Sequence, residues 1–486
     1  MSANTFDLAA AAFTEMVRQG FHPDFPTGTE EQVERIRSDG QVTPGGQVRD
    51  LRELLWSSID NDTSRDLDHV EWAERVEGGI RVRVGIADVS ESVAKNSPID
   101  HHALDQTKTV YTAVRNFPMI PNELSTDLTS LNQGVDRAAV VTEYVVDPQG
   151  CLQQQSIYRA LVHNCAQLAY SKVGPWLEGK AEPDAKIAAS AELQAQLRLQ
   201  DEAARALREE RVSQGALEFN RIEADPVVID GQVKALKTAQ HNRATDLIED
   251  FMIGANETMA GLLRAAGRSC IRRVVRSPER WERIVELVGR HGTILPAEPD
   301  SAALNAFLRK KRAADAVHYP DLSLAIIKLM GAGEYVVSPG KDAKPLGHFG
   351  LAARDYAHST APNRRFADLV TQRLVKAMLD DEPAPYTDAE LEAIALRCNL
   401  QESAGHKVER AMRKRVAAVA MSGSIGKLFR GVVTGASDKG VYVRVFDPPV
   451  EGRVIKGEQG LDVGDTLTVK LLHTDPAHAF IDFGRA

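Results

Sequence analysis

Four aspartates, Asp60, Asp62, Asp66 and Asp68, fall within nine residues of the run IDNDTSRDLDHVE. Carboxylates this close repel one another unless a cation sits among them, and hard divalent ions suit an all-oxygen cluster. The spacing also fills most ligand positions of an EF-hand loop, from Asp60 at the first to Glu71 at the twelfth. Its sixth position, however, is Arg65, where that loop needs a glycine at positive φ. The segment also runs on to Gly78-Gly79 and a strand pattern, not to an exiting helix. Two readings stay open on residues alone: a solvated acidic loop and a catalytic metal site. Phosphoryl transfer favours the second, because it needs an activated water, in-line geometry and charge compensation. Two carboxylate-held divalent ions about 4 Å apart supply all three.

A catalytic site of that kind needs a cationic partner. The run Tyr356-Ala-His-Ser-Thr-Ala-Pro-Asn-Arg364-Arg365-Phe-Ala-Asp368-Leu places two arginines at a proline-fixed turn. Arginines there can clamp a phosphate through bidentate hydrogen bonds. The competing reading pairs them with Asp368 or another acid.

These motifs need a scaffold. The 486 residues suggest about three domains. Residues 1–46 read as a small helical module, with an amphipathic helix over 4–19 and a second helix capped by Thr29 and ending near Asp39. Helix-turn-helix DNA binding suits that helix count, but three basic against seven acidic residues grip phosphates poorly. Gly40–Gly46 reads as a linker. Residues 47–421 read as an α+β body, with strands near 80–89, 137–147 and 215–237 and helices near 183–213, 244–267 and 388–420. After Met421, short apolar runs split by Gly, Asp and Pro predict a five-stranded OB-type barrel over 422–486. With 59 Lys+Arg against 68 Asp+Glu the net charge is −9, which excludes a polybasic nucleic-acid coat. Four scattered cysteines without a CxxC pair, no membrane-length apolar run and no basic leader predict a cytoplasmic protein.

Together these motifs resemble the RNB catalytic domain of the RNase II / RNase R exoribonuclease family. IDNDTSRDLDHV, VGIADVSESV, VYTAVRNFPMIPNELSTDLTSLNQGVDR and DYAHSTAPNRRFADLVTQRL carry the resemblance, and the tail resembles an S1-type RNA-binding domain. The resemblance covers about residues 47–486. It implies a processive, Mg²⁺-dependent, two-metal-ion hydrolase that shortens single-stranded RNA from its 3′ end and releases 5′-nucleoside monophosphates. It places Asp60, Asp66 and Asp68 on the metal-site aspartates, Arg364 on the catalytic arginine, and Tyr111 on the tyrosine that contacts the terminal nucleotide. The expected partner is single-stranded RNA, with no membrane and no obligate protein partner.

The departures are specific. His69 stands where the family has a fourth aspartate; as a neutral, softer ligand it favours Mn²⁺ over Mg²⁺. Asp62 is a partial substitute for the lost charge, and Ala361 and Asn363 replace the usual Ser and Ile. The N-terminal segment is too short for the cold-shock barrels that usually precede the RNB body. RNA contacts are expected at Tyr111, Arg365, Arg410, Lys414, Phe429 and Tyr442; the basic clusters Arg272–Arg276 and Arg309–Arg312 are further contacts or solvated helix faces, the second being the better reading of Arg309–Arg312. The alternative function is a catalytically weakened protein that holds RNA 3′ ends. Glu249 matches a recurrent family acid whose role is left open.

Overall fold

The computed structural model describes residues 6–40, 47–219, 224–229, 232–238, 241–315, 318–340, 347–437 and 440–486. Beyond Gly40, the linker expected at Gly40–Gly46 lies outside them. Two helices open the chain, α1 (Leu8–Arg18) and α2 (Thr29–Ser38). Asp7 caps α1 by accepting the Ala10 N–H at 2.9 Å. The start of α2 corrects the sequence reading: its cap is Gly28 at φ 89°, and Thr29 is already helical and buried.

The central sheet takes β1 (Val48–Asp50), β2 (Trp56–Asp60), β3 (His69–Val76) and β4 (Gly79–Ala87). Glu77 and Gly78 make the tight turn between β3 and β4; at Gly79 (φ 152°), the first residue of β4, a Cβ would stand 2.1 Å from the Val146 carbonyl oxygen. After α3 (Val89–Ser92) and α4 (Pro98–Gln106) comes a small hairpin, β5 (Val110–Tyr111) and β6 (Asn116–Phe117). Then β7 (Asp136–Val146) and β8 (Leu152–Ala169) complete the sheet in the order β1-β8-β2-β3-β4-β7. Because β7 also pairs with β8, the strands return on themselves. The 18-residue β8 manages this by pairing antiparallel with β7 along its first part and parallel with β2 along its last.

Helices cover the sheet: α5 (Tyr170–Leu177), α6 (Ala185–Ala188), α7 (Ala191–Ser213) and, after the β9 (Ala224–Ile229)–β10 (Gln232–Thr238) hairpin, α8 (Arg243–Ala265). Next come β11 (Cys270–Val274), α9 (Trp281–Arg290), α10 (Ser301–Ala314), α11 (Tyr319–Met330) and β12 (Glu334–Ser338), which pairs with β11. The body ends with α12 (Phe366–Leu379) and the 34-residue α13 (Asp388–Met421). Strand alternation divides the core in two. Trp56, Val70 and Val140 pack toward Phe366, Leu369 and Val370 of α12, whereas Ile59, Val84 and Tyr144 pack toward Leu247 and Phe251 of α8. Each such fully buried side chain contributes about 1.5–3 kcal/mol. The rigid sheet therefore holds the end of β2, and α12 holds the turn that precedes it.

Five strands, β13 (Leu428–Ser437), β14 (Gly440–Val445), β15 (Glu451–Lys456), β16 (Thr466–Asp475) and β17 (Phe480–Arg485), close into a barrel in the order β13-β14-β15-β17-β16. The fold is thus mixed α+β with a closed C-terminal barrel, as the sequence pattern predicts. Among the described residues, no helix is long and apolar enough to cross a membrane.

Candidate active site

The acidic run lies in the loop from the end of β2 to the start of β3, so no helix exits from it. Leu67, 1% exposed, anchors the loop in the core. The Ser130 hydroxyl accepts the Leu67 N–H at 3.0 Å and donates to the Arg65 carbonyl at 2.9 Å. The loop's side chains are held in place in different ways. Asp60 uses Oδ1 to accept from Asn61 N–H (2.7 Å) and the Ser64 hydroxyl (2.9 Å). The Tyr111 hydroxyl donates to Asp66 Oδ2 at 2.5 Å, carried there by the β5–β6 hairpin. Asp62 turns aside, accepting from Ser171 at 2.9 Å.

Asp68 is buried and meets the arginine turn. Its Oδ1 accepts the Asn363 N–H at 3.0 Å and its Oδ2 the Arg364 Nε–H at 2.9 Å. Burial pushes the Asp68 carboxyl upward, against the pull of Arg364 and the Asn363 N–H. Desolvation opposes the charge on Arg364, but Asp68, Tyr111 and Asp60 hold it protonated. The turn itself is fixed by Asp368, whose Oδ1 accepts from Ala361 N–H (2.8 Å) while its carboxylate pairs with Arg365 (2.7 Å). Arg365 therefore has the intramolecular partner weighed as its alternative. Behind the turn, Tyr335 OH lies 2.8 Å from His358 Nδ1, and Ser359 donates to Asn256 at 2.8 Å from both N and Oγ. A cavity of about 160 Å³ opens beside Arg364, lined by Tyr111, Lys108, Tyr335, Arg365 and Glu402.

His69 pairs with Glu71, which the sequence singles out only as the twelfth position of an EF-hand pattern. Its Nδ1 lies 2.5 Å from Glu71 Oε1, and both side chains are buried. Desolvation opposes the imidazolium, yet Glu71, Asp60 and Asp68 together raise its pKa. Glu71 lies two residues on along the same strand, so period-two alternation could have flagged the pair. Asn363, read as a departure, supplies the N–H on Asp68, while its Oδ1 accepts from Thr129 OH at 2.6 Å.

Of the four carboxylates Asp60, Asp66, Asp68 and Glu71, Asp68 pairs with Arg364 and Glu71 with His69, while Asp60 and Asp66 have no cationic partner within 4.0 Å among the described residues. That leaves negative charge uncompensated among oxygen donors, a donor set that fits a divalent cation. In the structure, the one group of three potential ligands among the described residues whose atoms all lie within 4.8 Å of one another is elsewhere: His241, Asp246 and Glu249. Arg208 and Arg243 already pair with that group. This places Glu249 in a surface ion-pair network.

The remaining expected RNA contacts separate into two kinds. Arg410, Lys414 and Tyr442 line one groove, between α1, α13 and the barrel. Phe429 is half-buried against the barrel core, its ring 6.4 Å from Phe483. Of the other basic clusters, Arg309–Arg312 forms the exposed face of α10 expected of it, whereas Arg272–Arg276 begins on β11, not on a helix. Arg272 is buried, Arg273 pairs with Glu402, Arg276 with Glu334, and Arg309 and Arg312 flank Glu218.

Residues 48–381 match the RNB domain, and residues 427–486 match the RNase II-type exonuclease C-terminal S1 domain. The chain belongs to the RNB family. Enzymes of the RNB family generally depend on a divalent metal. This RNB protein is 28% identical to Ribonuclease R of Mycoplasma pneumoniae over 482 residues, covering 92% of this chain and 65% of that one. It is 31% identical to Ribonuclease R of Aquifex aeolicus over 439 residues, covering 88% and 61%. The chain therefore spans less than two thirds of the length of these relatives. Its fold matches that of Mycoplasma genitalium RNase R in complex with ribose methylated single-stranded RNA, with TM-score 0.87, 24% identity, and coverage of 100% of this chain and 79% of that one.

Proposed function

We propose that this RNB protein is a processive 3′→5′ hydrolytic exoribonuclease that shortens single-stranded RNA and releases 5′-nucleoside monophosphates. The observation that supports this reading most is the contact of Asp68 with Arg364 and of Asp66 with Tyr111, in the loop that begins at Asp60. Asp60, Asp66 and Asp68 are the residues to hold Mg²⁺, with His69 shifting the preference toward Mn²⁺ through Nε2 once that nitrogen gives up its proton, since Nδ1 is taken by Glu71. When bound, the metal supplies an activated water and offsets phosphate charge.

The chain's own groups do the rest. Arg364 spends Nε on Asp68, and its guanidinium, 43% exposed, directs the remaining N–H groups at a phosphate. The attacking water oxygen bonds to the terminal phosphodiester phosphorus as the bond to the preceding 3′ oxygen breaks. That oxygen leaves as a 3′-hydroxyl, and the released nucleoside keeps a 5′-phosphate. Tyr111 is fixed through its hydroxyl, leaving its half-exposed ring free to stack on the terminal base. The division into residues 1–46, 47–421 and 422–486 and a cytoplasmic location, suited to four free cysteines, belong to the same proposal.

The test is 5′-labelled single-stranded RNA with Mg²⁺ or Mn²⁺, alongside Asp68→Asn. Progressive shortening that the variant abolishes is the expected result. A second reading, a non-catalytic protein holding RNA 3′ ends, is favoured by one observation: His69 is drawn into a buried pair with Glu71 where the family places a fourth carboxylate. RNA bound but left intact in both metals would establish it.

A further inference from the structure

Residues 124–132 carry none of the acids or cations of the site, yet they touch both of its halves. Leu124 and Leu131 are buried in the core and hold the segment near its two ends. Between them Leu124–Leu128 winds as a single π-helical turn, and the Thr129 N–H donates to the Leu124 carbonyl at 3.0 Å. Turns of this kind are frequent at functional sites. Arg137 ties the segment down from β7, donating to the Ser130 carbonyl at 3.1 Å and to the Asp127 carbonyl at 3.0 Å. The segment is therefore anchored in the core and to β7, apart from the two loops it touches.

From this support two neighbouring side chains reach different loops. Ser130 holds the acidic loop at Arg65 and Leu67, and the Leu131 N–H donates to the Leu67 carbonyl at 2.9 Å. Thr129 holds the arginine turn through Asn363 Oδ1 at 2.6 Å, and its Oγ1 also lies 2.9 Å from the Leu124 carbonyl oxygen. One planar peptide, about 3.8 Å from Cα to Cα, separates the two supports. Asn363 is 0% exposed, and Thr129 is the one hydrogen-bond partner of its side chain among the described residues, since Nδ2 has none. A buried amide with Nδ2 unmet costs stability, and an aliphatic side chain would fill the same place without that cost. Placement explains the arrangement better. Asn363 gives its N–H to Asp68 and is followed by Arg364, so holding its side chain places both contacts.

We propose that Thr129 and Asn363 are positioning residues: with Ser130 they set the spacing between the acidic loop and the Arg364 turn, and so the place where Arg364 meets the scissile phosphate. The inference rests on the exoribonuclease reading. Asp68 already joins loop to turn, but it is also one of the residues to hold the metal. The Thr129–Asn363 contact joins them through side chains that are 5% and 0% exposed, too deep to touch RNA. The spacing is thereby kept however Asp68 is engaged. Asp368 steadies the same turn two residues earlier, at the Ala361 N–H.

The experiment uses the full chain with Thr129→Val, Asn363→Leu and the two combined. Each single change strands a buried polar partner, so its urea midpoint should fall. The double change replaces the pair by apolar groups of similar shape, so its midpoint should return toward the wild type's. Positioning predicts that activity does not return with it. With single-stranded RNA and metal, kcat of the double variant should stay at least about tenfold below wild type while KM changes little, since misplacement by about 1 Å can cost about 100-fold. Thr129→Ser keeps the hydroxyl and should retain most of the kcat that Thr129→Val loses. A second measurement needs no turnover: the RNA affinity lost on Arg364→Lys is compared, in EDTA, between the wild-type and double-variant backgrounds. The loss should be at least about threefold smaller in the double variant, because Arg364 is no longer held against the phosphate. A double variant that regains stability and kcat together overturns the proposal, because the contact would then be structural only. So does a Thr129→Ser protein as slow as Thr129→Val, or an equal loss on Arg364→Lys in both backgrounds. If the wild-type chain binds RNA but shortens none, the exoribonuclease reading fails, while the EDTA comparison still decides whether Thr129 and Asn363 position Arg364.

Discussion

Asp68 and Arg364 stand 296 residues apart in the chain and meet at 2.9 Å, Oδ2 to Nε. The carboxylate is 1% exposed and the guanidinium 43%, so the pair joins a buried anchor to a group that reaches solvent. This asymmetry lets one arginine be positioned by the core and still touch a substrate.

Arg364→Lys is therefore expected to fail as a conservative change. Lysine keeps the charge but loses the planar fork that serves Asp68 and a phosphate at once. RNA shortening should fall at least 100-fold, the size expected for loss of one fixed donor at developing charge. The urea midpoint should move less than the rate, because lysine keeps a positive charge beside the buried Asp68 carboxylate. Parallel single-turnover rates and urea curves check both halves. An active Arg364→Lys protein would remove Arg364 from the chemistry.

His69 gives the opposite pattern. His69→Asp restores the family's acid at this position, but the structure puts that carboxylate against buried Glu71. Breaking a buried pair costs about 3–5 kcal/mol. The single variant should be strongly destabilised, and His69→Asp/Glu71→Gln should recover stability because the repulsion is gone. If His69 also sets metal preference, the double variant should show a higher ratio of Mg²⁺- to Mn²⁺-supported activity. Urea unfolding and rates in the two metals measure these effects. A stable His69→Asp protein would contradict the pairing.

What could be read in the sequence follows from how local each signal is. The Asp60–Asp68 loop and the Arg364 turn are dense in charge over a few residues, so each stands out alone. Of the sheet that brings them together, β4 and β7 are visible as apolar strand patterns, whereas β2, β3 and β8 are not, and the stretch near 215–237 supplies a separate hairpin. The partners are not visible either. Nothing near Asn363 shows that its N–H would reach Asp68, because that contact depends on packing across the whole body. Charge runs misled for the same reason: Arg272 and Arg273 are adjacent in sequence, yet one is buried and the other pairs with Glu402.

His348 offers a pH test away from the acidic loop. Burial, and then Arg273, push its pKa down to about 4. Its Nδ1 accepts the Leu351 N–H at 3.1 Å, which needs the neutral ring. Between the unfolded value near 6.5 and about 4, the unfolded chain binds the proton and the folded chain does not. Unfolding free energy should therefore fall as pH drops through that window. His348→Asn keeps an acceptor and cannot titrate, so its urea midpoint should lose less than the wild type's between pH 7 and pH 5. Equal losses would show that His348 takes no part.

Tyr111 separates its hydroxyl from its ring. The hydroxyl holds Asp66 at 2.5 Å, while the residue stays 39% exposed beside Arg364. Tyr111→Phe removes the donor but keeps the stacking face, so Asp66 loses one neutral-to-charged hydrogen bond worth about 1.5–3 kcal/mol. Its effect should fall on kcat, through a less fixed Asp66. Tyr111→Ala removes the ring too, and base stacking contributes about 1–3 kcal/mol per base. Its added effect should fall on KM and on the length of the shortest product, because the last nucleotides would no longer be held. Kinetics with end-product sizing on a denaturing gel distinguish the two. If Tyr111→Phe and Tyr111→Ala behave alike, the ring contributes nothing, and Tyr111 acts on the site only through Asp66.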